Sequence, residues 1–171
     1  MSVTDMNANL ELTMQRELPA AIHDGDDSSW VNTPRSILKS ALAALSDGRI
    51  VEAVALFDER FNLKDHALDL EFTDKVRLTE FFQKSRELFP DAALEVLSLM
   101  ESGDHAIAEW KLAATQIVPF SSIGYRIRIN LAGSTIVRVE GGRIVQWSDY
   151  YDHASSRRTS VASFFTDWIE Y

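Results

Sequence analysis

The stretch Tyr125–Asp152, YRIRINLAGSTIVRVEGGRIVQWSDYYD, decides the fold. It reads as two β-strands joined at Gly141–Gly142. Branched and aromatic residues recur with a period of two, and a Gly-Gly pair suits a tight hairpin turn. In the second arm Val145, Trp147, Asp149 and Tyr151 share one face, opposite Gln146, Ser148, Tyr150 and Asp152. Asp149 therefore falls on the more apolar face. A carboxylate there is costly unless it finds partners or shifts its pKa.

Just upstream, Ala93–Val118 (ALEVLSLMESGDHAIAEWKLAATQIV) predicts a second hairpin turning at Ser102–Gly103–Asp104. Before it the signal is helical. Thr33 and Pro34 open TPRSILKSALAAL as N-cap and first helical residue, and Ile37, Leu38, Ala41, Leu42 and Leu45 form one stripe that closes at Gly48. Ile50–Phe61 reads as a second short helix. Arg60–Leu68 (RFNLKDHAL) reads as extended, and Thr73–Asp91 as a helix capped by Thr73 and ended by Pro90. Ser160–Tyr171 (SVASFFTDWIEY) predicts a short aromatic C-terminal helix. Helices first and antiparallel strands after define an α+β layout, with helices on one face of a curved sheet. Residues 1–33 form an acidic extension, and 34–171 form the domain.

Composition narrows the function. The chain has 171 residues, of which 46% are apolar and 25% charged, as in an ordinary soluble domain. A net charge of −9 with no basic run argues against nucleic acid or an anionic membrane as partner. Absence of cysteine removes thiol catalysis and cysteine metal sites and fits a cytoplasmic setting. His23, His105 and His153 have no metal-site spacing, and neither a metal nor a cofactor is expected.

Two further strands bear on the site. Phe61, Leu63, Asp65 and Ala67 share a face, with Asn62, Lys64 and His66 opposite, so Asp65 is a second acid among apolar residues. Asp149 and Asp65 have two readings. One is structural, with Asp65 capping a turn and Asp149 bonded to backbone or tyrosine. The other is a cavity in which carboxylates move protons. In HAIAEWKLAAT, Ala106, Ala108, Trp110, Leu112 and Ala114 form the apolar face, and alternation sends Glu109 and Lys111 to the other.

The order of elements and the ending GGRIVQWSDYYD resemble the nuclear transport factor 2-like superfamily, in its SnoaL-like polyketide cyclase and limonene epoxide hydrolase branches. The likeness covers about residues 34–154. Its motif is glycine, basic residue, isoleucine, then tryptophan, one residue, aspartate, two aromatics and aspartate. The resemblance implies a cone whose curved sheet encloses a pocket for a small apolar molecule, and a homodimer through the sheet. Asp149 stands where the epoxide hydrolase branch keeps its water-activating aspartate, with Trp147 and Tyr151 lining the pocket. Asp65 matches an asparagine that holds the water. His66 completes the aspartate–histidine pair common in SnoaL-like relatives, and Leu63 stands at the water-positioning tyrosine. Glu109 and Lys111 match an arginine and aspartate two apart, with the charges in reversed order, so epoxide opening is not carried over. The resemblance places these two at the pocket as acid or oxyanion partner. It implies a cofactor-independent cyclase, isomerase or hydrolase, or else a non-catalytic ligand-binding or dimerisation module.

Overall fold

The structure, a computed structural model, describes residues 32–117 and 126–152. The acidic extension (apart from its last two residues) and the expected C-terminal helix lie outside the described residues. The first helix, α1 (Pro34–Ser46), starts where the sequence places it. Thr33 is the N-cap, its hydroxyl accepting from the Ser36 N–H at 3.2 Å, with Pro34 next. Its apolar stripe of Ile37, Leu38, Ala41 and Leu42 is buried and lies on β3 (Ala93–Ser102), β4 (His105–Ile117) and β5 (Arg126–Glu140).

The second helix, α2, covers only Ile50–Ala55, and the chain is already a strand, β1 (Phe57–Asp65), where helix is expected. Pairing with β6 (Arg143–Tyr151) explains the difference. Phe57 pairs with Ile144, whose N–H donates to the Leu56 carbonyl at 2.9 Å, and Phe57 is wholly buried. Tertiary pairing here overrides local propensity. A three-residue strand, β2 (Leu70–Phe72), then precedes α3 (Lys75–Leu88), which is capped by the Asp74 carboxylate rather than by Thr73. Leu78 and Phe81 bury the inner face of α3, with Phe81 stacked obliquely on Phe72 at 4.8 Å.

The six strands form one open sheet in the order β2-β1-β6-β5-β4-β3. All pairings are antiparallel except β1 with β6, which makes the sheet mixed. Both hairpins occur, with Gly141 and Gly142 at φ 56° and 78° in the β5–β6 turn. Register breaks in β1, β3 and β6 supply the bends of an α+β cone. The β6 bulge corrects the alternation expected for this strand. Val139 faces Ile144 and Arg138 faces Gln146, which leaves Val145 unpaired. Ile144 rather than Val145 therefore joins Trp147 in the core. Among the described residues no helix is long and apolar enough to cross a membrane.

Candidate active site

One row across the sheet carries the site. Leu70, Asp65, Asp149, Thr135, Ala108 and Leu99 lie side by side on β2, β1, β6, β5, β4 and β3. The parallel register of β1 on β6 sets the two aspartates abreast. Cross-strand neighbours on one face of a sheet lie close enough to interact directly. The next row holds Trp110, Gly133 and Tyr151.

Asp149 keeps part of its surface accessible, but its carboxylate is enclosed by protein and held at both oxygens. The Thr135 hydroxyl donates to Oδ1 at 2.5 Å, and the Trp147 indole N–H donates to Oδ2 at 2.7 Å. Thr135 in turn accepts from the Trp110 indole at 2.9 Å, and both Thr135 and Trp110 are buried. Burial pushes the Asp149 carboxyl up to about 7. The bonds from Thr135 and Trp147 oppose that rise, and the negative charge of Asp65 adds to it.

Asp65 is buried and serves two purposes. Its Oδ1 accepts from the backbone N–H groups of Ala67 and Leu68 at 3.0 and 2.9 Å, which caps the turn after β1. Its Oδ2 accepts from the Tyr151 hydroxyl at 2.8 Å. Burial, then the Asp65 charge, drives the Tyr151 hydroxyl far above the ordinary tyrosine range. Tyr151 is thus a neutral donor whose proton is committed to Asp65.

The structure brings Asp149, Asp65, Trp147 and Tyr151 together and leaves the other four candidates outside. Glu109 and Lys111 are exposed on the opposite face of β4, as alternation alone predicts, and Glu109 accepts from Ser98 at 3.3 Å. Their assignment as acid or oxyanion partner is corrected. No bulge interrupts β4 against β5 between Glu109 and Trp110, so the pleat sends them outward. His66 is exposed too, stacked on Tyr150 at 4.3 Å, because it follows Asp65 with opposite parity. Leu63, 1% exposed, is core rather than lining. Two clefts, of about 410 and 520 Å³, lie between α1 and β3 and along β3–β5, and the two aspartates border neither.

Sequence reasoning missed Thr135, Gly133 and the polar end of Trp110. Thr135 looks like one more β-former in STIVRV. A usable signal was nonetheless present. Two tryptophans on the acid's face each need an acceptor once buried. Gly133 stands beside Trp110 because a Cβ there would lie 2.7 Å from its ring and 2.6 Å from the Tyr150 carbonyl oxygen. Among the described residues no three His, Asp or Glu side chains gather as a metal site.

Known structures show how widely this architecture is used. A protein from Shewanella denitrificans assigned as a SnoaL-like polyketide cyclase superposes with a TM-score of 0.65 at 14% identity, over 74% of this chain and 96% of its own. A Catenulispora acidiphila protein with a ketosteroid isomerase-like fold, solved with trimethylamine, matches at a TM-score of 0.60 and 19% identity, over 72% and 89%. A Streptomyces galilaeus protein assigned as a hydroxylase matches at 0.60 and 17%, over 73% and 93%. At such identities the likeness is one of fold, and a fold does not carry an activity with it. A search of curated proteins found no match. The profile of the SnoaL-like domain matches residues 38–147, which span α1 from its second turn through Trp147 of the site strand, and by that match the chain belongs to the SnoaL-like family within the nuclear transport factor 2-like superfamily.

Proposed function

We propose that the protein is an acid–base enzyme of the cyclase or isomerase type, acting on a small, largely apolar molecule, with Asp149 as the base. The observation that carries this reading is a carboxylate lifted to about 7 whose two hydrogen-bond partners are both donors. A base with its pKa near the working pH both takes and returns a proton efficiently. Trp147 is a donor only, and Thr135 already spends its hydroxyl proton on Asp149. Once protonated, Asp149 can pass its proton to neither of these two partners, which leaves substrate or water to receive it.

With Glu109 and Lys111 on the outer face, no second acid beside Asp149 is needed if the reaction returns the proton it removes. Asp149 breaks a C–H bond α to a carbonyl and takes the proton. The electron pair moves into the enolate, or onto an electrophilic carbon of the same molecule. Asp149 then protonates the new carbon position or the new alkoxide. Isomerisation and intramolecular aldol cyclisation both fit this balance, and neither needs a co-reactant. Hydrolysis, with Asp149 drawing a proton from water, uses the same base but needs a separate donor for its leaving group.

The test is exchange of solvent deuterium into a panel of enolisable ketones and 1,3-dicarbonyl compounds, followed by mass spectrometry. Exchange by the wild type and its loss in Asp149→Asn is the expected outcome. Equal exchange by both proteins overturns the reading.

A second reading, a ligand-binding module, is favoured by one fact: both Asp149 oxygens are already engaged, as suits a group that only orients a ligand. In that case Asp149→Asn weakens binding of apolar ligands and the wild type turns none of them over.

A further inference from the structure

The hydrogen bonds behind Asp149 run in one direction only, and that direction is fixed by chemistry. An indole N–H donates and never accepts. The Trp110 indole donates to Thr135 Oγ1 at 2.9 Å, so the hydroxyl proton of Thr135 points away from Trp110 and toward Asp149 Oδ1, 2.5 Å away. Were Thr135 to accept from a protonated Asp149 instead, its own proton would lose the acceptor it has, in a side chain 1% exposed. On the other oxygen the Trp147 indole likewise only donates. Two donor-only rings, 5% and 2% exposed, thus force Asp149 to be addressed as an acceptor from both sides.

Gly133 completes the arrangement. It is the cross-strand partner of Trp110 on β5, and a Cβ there would lie 2.7 Å from the Trp110 ring. That absent side chain leaves room for the indole beside β5, where its N–H reaches Thr135, two residues further on the same strand.

We propose that Trp110 and Thr135 are positioning residues for the proton transfer, forming a one-way relay that holds the Asp149 carboxylate as the acceptor of the substrate's proton. This rests on the reading of Asp149 as base and adds the residues that make it one. The relay cannot itself carry the proton away, since neither of its members has a free acceptor site directed at Asp149. It fixes which lone pairs remain open and stabilises the ionised form against burial. Among the described residues the titratable groups facing Asp149 are Asp65 from β1 and Tyr151 from β6. The neighbouring rows of β4 and β5 contribute Ala108, Trp110, Gly133 and Thr135, none of which titrates.

The experiment uses the full chain and reads the carboxyl-carbon NMR titration of Asp149, identified as the signal missing from Asp149→Asn, together with the pH profile of any deuterium exchange. Thr135→Val keeps the shape and removes the hydroxyl, and it is expected to raise the Asp149 pKa by about one to two units, the worth of one hydrogen bond to a charged group. The acid limb of the exchange profile moves up with it. Thr135→Ser restores both. Trp110→Phe keeps an aromatic ring, removes the indole N–H and frees the Thr135 hydroxyl to turn, and a smaller rise in the same direction is expected.

An unchanged Asp149 pKa in Thr135→Val, or in Trp110→Phe should Thr135→Val not fold, overturns the relay. So does a rise in Thr135→Ser equal to that in Thr135→Val. A shifted pKa with no exchange by any variant leaves the relay standing and sinks the catalytic reading of Asp149, so the two failures are separable.

Discussion

At the scale of the residue, Asp149 is held in place against its own energetics. A carboxyl that titrates near 3.9 in an unfolded chain and about 7 in the folded one binds its proton more tightly when folded. Between those values the native state carries more protons than the unfolded state, so stability falls as pH rises. The contribution is fully present below about pH 4 and is lost as pH climbs through 7. Its ceiling is about 4 kcal/mol, reduced by the part of the side chain that water still reaches. Asp149→Asn removes the titration but keeps an acceptor for only one of the two donors, Thr135 or Trp147, at a cost that does not depend on pH. The stability of the variant relative to wild type is expected to rise by about 1–3 kcal/mol between pH 5 and pH 8. Urea melts at the two pH values measure it, and a constant gap counts against a raised pKa. Asp65→Asn tests the neighbouring charge. It should lower the Asp149 pKa, while the single amide oxygen serves either Tyr151 or the Ala67 and Leu68 N–H groups.

At the scale of the element, β5 shows how much of one strand's sequence serves the next strand's chemistry. Gly133→Ala places a methyl 2.7 Å from the Trp110 ring and 2.6 Å from the Tyr150 carbonyl oxygen, and that carbonyl belongs to the sheet backbone and has little room to move. The expected cost is about 1–3 kcal/mol. It comes with a red-shifted or broadened tryptophan fluorescence spectrum, since the ring must leave its seat. An unchanged melting curve would show that the ring yields freely. Other parts of these elements were legible beforehand because their signals are local. Thr33–Pro34 announced α1, Gly141–Gly142 announced the turn, and strict alternation sent Glu109 outward and Trp110 inward. What escaped the sequence depends on contacts made elsewhere. The helix expected to reach Phe61 stops at Ala55 because β6 offers Phe57 a strand partner, and the bulge that exchanges Val145 for Ile144 leaves no mark in the local pattern. The pairing of Asp65 with Asp149 needs a parallel register between segments 84 residues apart in sequence (149 minus 65). Each acid was visible, but their adjacency was not. Family resemblance drew Glu109 and Lys111 toward the pocket, and the simpler rule of the pleat was the better guide.

At the scale of the whole molecule, the sheet divides its labour between two faces. The inner face meets the helices and carries the two aspartates. The outer face crosses β3, β4 and β5 with a row of Met100, Ile107 and Ile136, which face one another across the strands. Met100 is 61% exposed and Ile107 38%, an apolar row on a face that the described helices do not cover. A second copy of the chain is an economical partner for it, because a two-fold axis through the row lets each strand's apolar residues meet those of its mate. With −9 net charge per chain, self-association on a charged surface would be opposed by repulsion, which leaves an uncharged stripe as the favourable place for contact. We therefore expect a homodimer through this face. Ile107→Glu combined with Met100→Lys, both at exposed positions, is expected to halve the mass found by sedimentation equilibrium. The melting curve of the monomeric fold should change little, since neither side chain belongs to the buried core. A wild type that sediments as a monomer at tens of micromolar overturns the expectation, and a dimer untouched by the double substitution moves the contact to another face. The result also bears on the active site. Tyr150 and His66 stack on the same outer surface, and each directly follows one of the two aspartates, Asp149 and Asp65. The backbone bond from His66 N–H to the Asp149 carbonyl, at 3.0 Å, ties that surface to the row of acids. Dissociation should therefore be checked against the Asp149 titration in the same samples. A pKa that holds at about 7 in the monomer locates the cause of the shift wholly within one chain.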